Sequence, residues 1–340
     1  LSFSLFAFYM IWVAARPKQV FWSLDEGGKY IQLQSIIKTG RFDTPLLYPA
    51  ERIDPEHKFV PLFYYFSRNN ELYSWWPINL ALVSLPFYVI FGWNGLYLLP
   101  AAAGAMSAFL AGAILRKLCG SVHLAVAAVC LTGLATPVTF YSTMFWEHTL
   151  STVFCLASLY MLLFFMDRRS VFYGFFAGIL ASISIFFRLE TLPILAGFGF
   201  VLLFKRFKQA VWYVIGIFLT SLPWLRLNQI TGEHPLGPTF SVVSKAANFS
   251  GISQVGLKFI PFALFNPPRA DAFIFSRPVL AIASLFFAIG ILTVWFRRTA
   301  KIAIISFAGV TAICAWVVLQ PSQFQAVHGI VLVAPHILFG

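Results

Sequence analysis

The stretch from Val171 to Phe204, VFYGFFAGILASISIFFRLETLPILAGFGFVLLF, is apolar throughout except at Arg188-Leu189-Glu190. Each flank approaches the ~20 residues that a helix needs to cross ~30 Å of hydrocarbon. The reading is two spans, 171–187 and 191–204, joined by a charged turn. Similar blocks lie on either side, at 96–115, 121–145, 148–166, 209–227, 277–296 and 302–320, and short polar stretches separate them. With 59% of residues hydrophobic and 11% charged, a chain of this length has too little polar surface for a water-soluble domain. The alternating segments of a membrane β-barrel are absent. The expected fold is an all-α polytopic transmembrane helical bundle of about 10 or more spans.

A net charge of +12 would suggest nucleic acid in a soluble protein. Here ten of the 24 basic residues sit in four clusters at block ends: Arg116-Lys117, Arg168-Arg169, Lys205-Arg206-Lys208, and Arg297-Arg298 with Lys301. The positive-inside rule makes these the cytoplasmic face and excludes a nucleic-acid partner. Cys119, Cys130, Cys155 and Cys314 lie in or beside apolar blocks with no CxxC or Cys/His spacing, so neither a disulfide framework nor a zinc site is indicated.

The chain is expected to be one transmembrane domain over residues 1–340, truncated at both ends because the blocks at Leu1 and Gly340 are incomplete. Residues 16–76 read as a large first external loop. Within it, 30–37 has the pattern of a short amphipathic helix, whereas Pro45, Pro49, Pro55 and Pro61 forbid long helices farther on. Residues 228–276 read as a second external loop. The block 77–91 is short, contains Pro86 and ends at Gly92-Trp93-Asn94-Gly95, so it is read as re-entrant or interfacial. That reading puts the first loop and Glu147-His148 on one face.

Several residues on that face carry ionisable chemistry. Asp25-Glu26 follows the first span, where a carboxylate can accept a proton from a hydroxyl; a pair that caps the next helix is the simpler alternative. Glu147-His148 falls between two apolar blocks that have no need of charge, and ionisable groups at membrane depth point to function. Arg188 suits a phosphate, with Glu190 to orient it, although the two also make a self-neutralising turn. Lys58 and Arg226 add positive charge near a lipid phosphate or simply snorkel. His57 is external beside Lys58, His234 and His328 are external and isolated, and His123 and His336 read as structural.

Taken in order, Ser23-Leu24-Asp25-Glu26-Gly27-Gly28-Lys29-Tyr30 after a first span, the long external loop, Phe187-Arg188-Leu189-Glu190-Thr191-Leu192-Pro193 and Pro223-Trp224-Leu225-Arg226-Leu227-Asn228 resemble the GT-C superfamily of membrane glycosyltransferases. The bacterial relatives of the protein O-mannosyltransferase and aminoarabinose-transferase families are the nearest in pattern. The resemblance implies transfer of a sugar from a polyprenyl-phosphate donor to a protein, lipid or glycan acceptor, with inversion. It places the chain in the plasma (inner) membrane as a multi-pass protein with its active site on the periplasmic or extracellular face. By carry-over, Asp25 matches the first-loop acid with Glu26 beside it. Glu147-His148 stands where relatives carry a second acidic motif, with His148 in place of the usual Asp. Arg188, Lys58 and Arg226 would hold the donor phosphate, supported by Glu190. No cofactor follows from the residues, and the resemblance leaves room for a divalent cation. A secondary transporter would share the intramembrane charges but needs paired repeats with broken helices; a non-catalytic membrane subunit is the third alternative.

Overall fold

The computed structural model describes residues 1–18, 20–57, 65–68, 71–74, 76–165, 170–232, 235 and 237. The expected spans 277–296 and 302–320, most of the second external loop, Arg168-Arg169, Arg297-Arg298 with Lys301, Cys314, His234, His328 and His336 lie outside these residues, as does Lys58. The described chain is mostly helical: α1 (Ser2–Ala14), α2 (Leu24–Thr39), α3 (Asn79–Phe91), α4 (Gly95–Cys119), α5 (Val122–Leu134), α6 (Pro137–Ser142), α7 (His148–Phe165), α8 (Val171–Phe187), α9 (Leu192–Lys205) and α10 (Phe207–Gly232). A small antiparallel hairpin, β1 (Tyr65–Arg68) and β2 (Glu71–Ser74), pairs Tyr65 with Ser74 and Arg68 with Glu71.

Two helical stretches, Asn79–Cys119 and Phe207–Thr231, are long and apolar enough to cross a bilayer. The first is not straight. Gly92 adopts φ 59° and a 3-10 turn follows at Gly92–Asn94, and a Cβ at Gly95 would overlap the Phe87 carbonyl. The crossing length therefore belongs to α4, which at 25 residues spans ~37 Å. The 13-residue α3 reaches only ~20 Å. Its first residue, Asn79, donates from Nδ2 to the carbonyl of Phe186 at the end of α8 (2.6 Å), while Tyr88 near its end meets Tyr30 of α2 (3.1 Å between hydroxyls). Both ends of α3 thus lie at the end of the bundle that carries α2.

Three particulars differ from the sequence reading. The first-loop helix is longer than 30–37: Ser23, extended at φ −144°, accepts the Glu26 N–H on its Oγ (3.3 Å) and starts α2 at Leu24, and Gly40 at φ 68° stops it. Asp25 and Glu26 are therefore inside the helix, in its first turn, not ahead of it. The block 121–145 is two helices, because Thr136 accepts the Val138 N–H (3.2 Å) and Pro137 opens α6. The hairpin was not anticipated; its β2 strand is extended by Leu46, whose N–H donates to the Leu72 carbonyl (2.7 Å).

Helix packing relies on small residues. Gly174 and Gly178 on α8 face the backbone of α10 at Gln209 and Tyr213, and Gly216 on α10 faces the Phe175 carbonyl. Small residues at these positions let the two helix backbones approach closely. One core cluster (Val13, Leu33, Leu80, Leu96, Phe145, Phe187) gathers the end of α1, the middle of α2, the starts of α3 and α4 and the end of α8. The residues of interest sit on that core.

Candidate functional site

Glu26 is fully buried. One carboxylate oxygen accepts the backbone N–H of Trp22 (2.8 Å), and the other accepts that of Phe145 (2.7 Å), 119 residues away. Both oxygens are thus spent on backbone, and their effect is to fasten the first turn of α2 onto the segment leading into α7. Burial pushes the Glu26 carboxyl up, against the pull of the two N–H groups and of Arg16. The Arg16 guanidinium lies over the rings of Tyr97 (5.2 Å) and Trp22 (5.7 Å), and its three nitrogens are buried without a hydrogen-bond partner among the described residues. It supplies positive charge behind Glu26.

One turn on, Lys29 is buried. Its ammonium donates to Glu147 Oε2 at 2.5 Å and lies 5.1 Å from the Trp76 ring and 5.8 Å from that of Trp146. Glu147, immediately before α7, receives Arg188 Nη1 on its other oxygen at 3.3 Å. Burial alone would raise the Glu147 carboxyl, but Lys29, Arg188 and His148 outweigh it and hold the group below the usual carboxylate range. The net result is a carboxylate biased toward its ionised form and held between two basic side chains. Arg188 breaks out of α8 into extended backbone at φ −147°, which turns its side chain back toward α7.

Asp25 projects from the same turn of α2 as Glu26 but is only half-buried and accepts no hydrogen bond among the described residues. Burial raises its carboxyl above the ordinary value; Lys29 and Arg188 pull it down, and Glu147 adds to the rise. Two carboxylates in one electrostatic neighbourhood are thus pushed in opposite directions, the pattern that separates an acid–base group from a fixed charge.

The structure therefore brings Asp25, Glu26, Glu147 and Arg188 together. His148 adjoins them; its ring stacks on Tyr141 (centroids 4.1 Å) and lies 5.0 Å from Trp146, which is itself 5.4 Å from Tyr141, so the three rings form one aromatic cluster. Arg226 is not brought in: it is exposed on α10 and donates to Gln229 (3.1 Å). Glu190 lies in the 3-10 turn Leu189–Thr191, with its side chain outside the described residues. Lys29 and Arg16 were missed by the sequence reading. Lys29 had a legible signal, since it stands four residues after Asp25 and so on the same helix face; Arg16 read as the ordinary end of an apolar block.

Lys29 and Arg188 occupy both oxygens of Glu147, backbone N–H groups occupy those of Glu26, and no group of three or more His, Cys, Asp or Glu gathers as a metal site among the described residues. No known protein family, curated protein or solved structure matches the chain.

Proposed function

We propose that this chain is an integral membrane glycosyltransferase of GT-C type that moves a sugar from a polyprenyl-phosphate donor to an acceptor hydroxyl or amide, with inversion. The supporting observation is that α2, a helix outside the apolar blocks, sets an unbonded half-buried carboxylate, Asp25, beside the cationic cluster of Lys29 and Arg188 on Glu147. Its chemistry suits the reaction. Asp25 takes the proton of the acceptor O–H or N–H, the acceptor atom forms its bond to the anomeric carbon, and the bond from that carbon to the phosphate oxygen breaks on the opposite face. The polyprenyl phosphate leaves with the electron pair, and Arg188 stabilises its negative charge. Lys29 and Glu147 orient Arg188, and Glu26 positions Asp25. His148, with Tyr141 and Trp146, lines the approach.

On this reading α1, α4, the α5–α6 pair and α7 to α10 cross the plasma membrane, with the Arg116-Lys117 end cytoplasmic and Asp25 outside. Helix α3 lies in the interface. A donor confined to the bilayer with its phosphate at the surface reaches the cluster without leaving the membrane. The deciding experiment is radiolabelled sugar transfer from a panel of polyprenyl-phosphate sugars in reconstituted vesicles. Transfer by the parent protein and its loss in Asp25→Asn support the reading. Undiminished transfer by both Asp25→Asn and Glu147→Gln removes the site, and no turnover with any donor removes the activity.

A further inference from the structure

At the opposite end of α4 from Asp25 lies a pocket that the proposed reaction does not use. Gly95, at the start of α4, is next to the site; Arg116 follows 21 residues later, roughly 30 Å along the helix. Helices α5 and α7 both pack against α4, and between them opens a cavity of about 560 Å³, within the range of sites that hold a small ligand. Its walls are apolar, from Phe109 on α4 through Val126 on α5 to Phe164 on α7, and its charged lining residues are Arg116 and Lys117, with no acid. The Lys117 ammonium rests 5.2 Å from the centre of the Phe164 ring, which is itself stacked on Tyr160 (3.9 Å). Both cations are exposed.

An apolar slot between helices with two cations and no acid among its charged lining residues is complementary to an amphiphile with an anionic head and a hydrocarbon body. We infer that this pocket binds one anionic glycerophospholipid, an acyl chain against Phe109, Val126 and Phe164 and its phosphate on Arg116 and Lys117. The lysine stem follows the apolar wall while its ammonium reaches the headgroup level. Basic pockets between spanning helices on the cytoplasmic side select anionic lipids in this way. The inference rests on the helices being embedded in a bilayer, and it is independent of sugar transfer.

The test is native mass spectrometry of the full chain released from detergent after incubation with phosphatidylglycerol, phosphatidylcholine or undecaprenyl phosphate. The parent is expected to retain one phosphatidylglycerol and to prefer it clearly over phosphatidylcholine. Arg116→Gln with Lys117→Gln is expected to weaken retention about thirtyfold, at about 1 kcal/mol per cation. Ala113→Phe, which projects a ring into the cavity and keeps both charges, is expected to weaken it as well. Equal retention of the two phospholipids, no retained lipid, displacement by inorganic phosphate, or undiminished retention in the variants would each overturn the assignment. Preference for undecaprenyl phosphate would overturn it as well. Sugar transfer without lipid retention sinks this inference alone; lipid retention without sugar transfer sinks only the proposed function.

Discussion

Replacing Glu147 with Gln keeps the side-chain shape but leaves the Lys29 ammonium, 3% exposed, without its ion-pair partner at 2.5 Å. Removing one member of a buried pair costs about 3–5 kcal/mol. The lower end, about 3 kcal/mol, is expected here, because Asp25 remains within electrostatic reach of Lys29. Lys29→Met is expected to cost less, about 2 kcal/mol, since Arg188 still faces the bared carboxylate at 3.3 Å. The double variant removes both members of the buried pair and leaves Arg188, whose side chain at 24% exposure reaches water, with Asp25 in its electrostatic neighbourhood. It is expected to lose no more than about 2 kcal/mol, a coupling energy of about 3 kcal/mol between the two sites. The measurement is reversible unfolding of all four proteins in mixed micelles, followed by circular dichroism. A coupling below about 0.5 kcal/mol, the scatter of independent sites, would refute the reasoning that this pair acts as a desolvated unit. The pH dependence has a definite sign. Because Glu147 is held below its usual value, its stabilisation is complete above the ordinary carboxylate range and is lost as pH falls through the depressed folded value.

Asp25→Asn should lower sugar transfer about 10²- to 10⁴-fold with little loss of stability, and the pH profile is diagnostic. Burial raises the Asp25 carboxyl, so activity should climb with pH above the usual carboxylate range, and the Asn variant should lose that limb in the same transfer assay. Glu26→Gln should behave in the opposite manner, costing about 1–3 kcal/mol of stability because its amide cannot accept from both Trp22 and Phe145; unfolding curves identical to the parent would show that the fastening is dispensable. Gly178→Ala should destabilise the α8–α10 contact by about 1–3 kcal/mol, since its Cβ overlaps the Tyr213 carbonyl, whereas Gly197→Ala, with open space around it, should unfold like the parent.

Much of the helical layout was legible in the residues. Hydrophobic block length predicted helices over 148–166, 171–187 and 191–204, and helices run over His148–Phe165, Val171–Phe187 and Leu192–Lys205, because each apolar run is bounded by polar breaks; all three are shorter than the helical stretches long enough to cross a bilayer. The helix break at Thr136-Pro137 could also have been read locally, since Thr before Pro is a helix-start signal. The hairpin 65–74 was missed although its pairing is local, with Arg68 opposite Glu71 and only Asn69-Asn70 between the strands in sequence; asparagine suits such two-residue turns, and Leu46 adds a hydrogen bond from outside.

The site divides along the same line. Sequence by itself selected Glu147 and Arg188 as charges out of place among apolar blocks, because an ionisable group near hydrocarbon is costly unless it is used or paired, and Asp25 and Glu26 as an adjacent acid pair in the loop after the first block. It could not assign their roles, because adjacent Asp25 and Glu26 are chemically near-equivalent as letters. Tertiary structure separated them: two backbone N–H groups, one of them 119 residues away, consume Glu26, while Asp25 is left without a hydrogen bond among the described residues. It also revealed Lys29 as the partner of Glu147 across 118 residues. Which charges neutralise one another depends on distances of a few ångströms between helices, and a one-dimensional pattern of hydrophobicity holds no record of those distances.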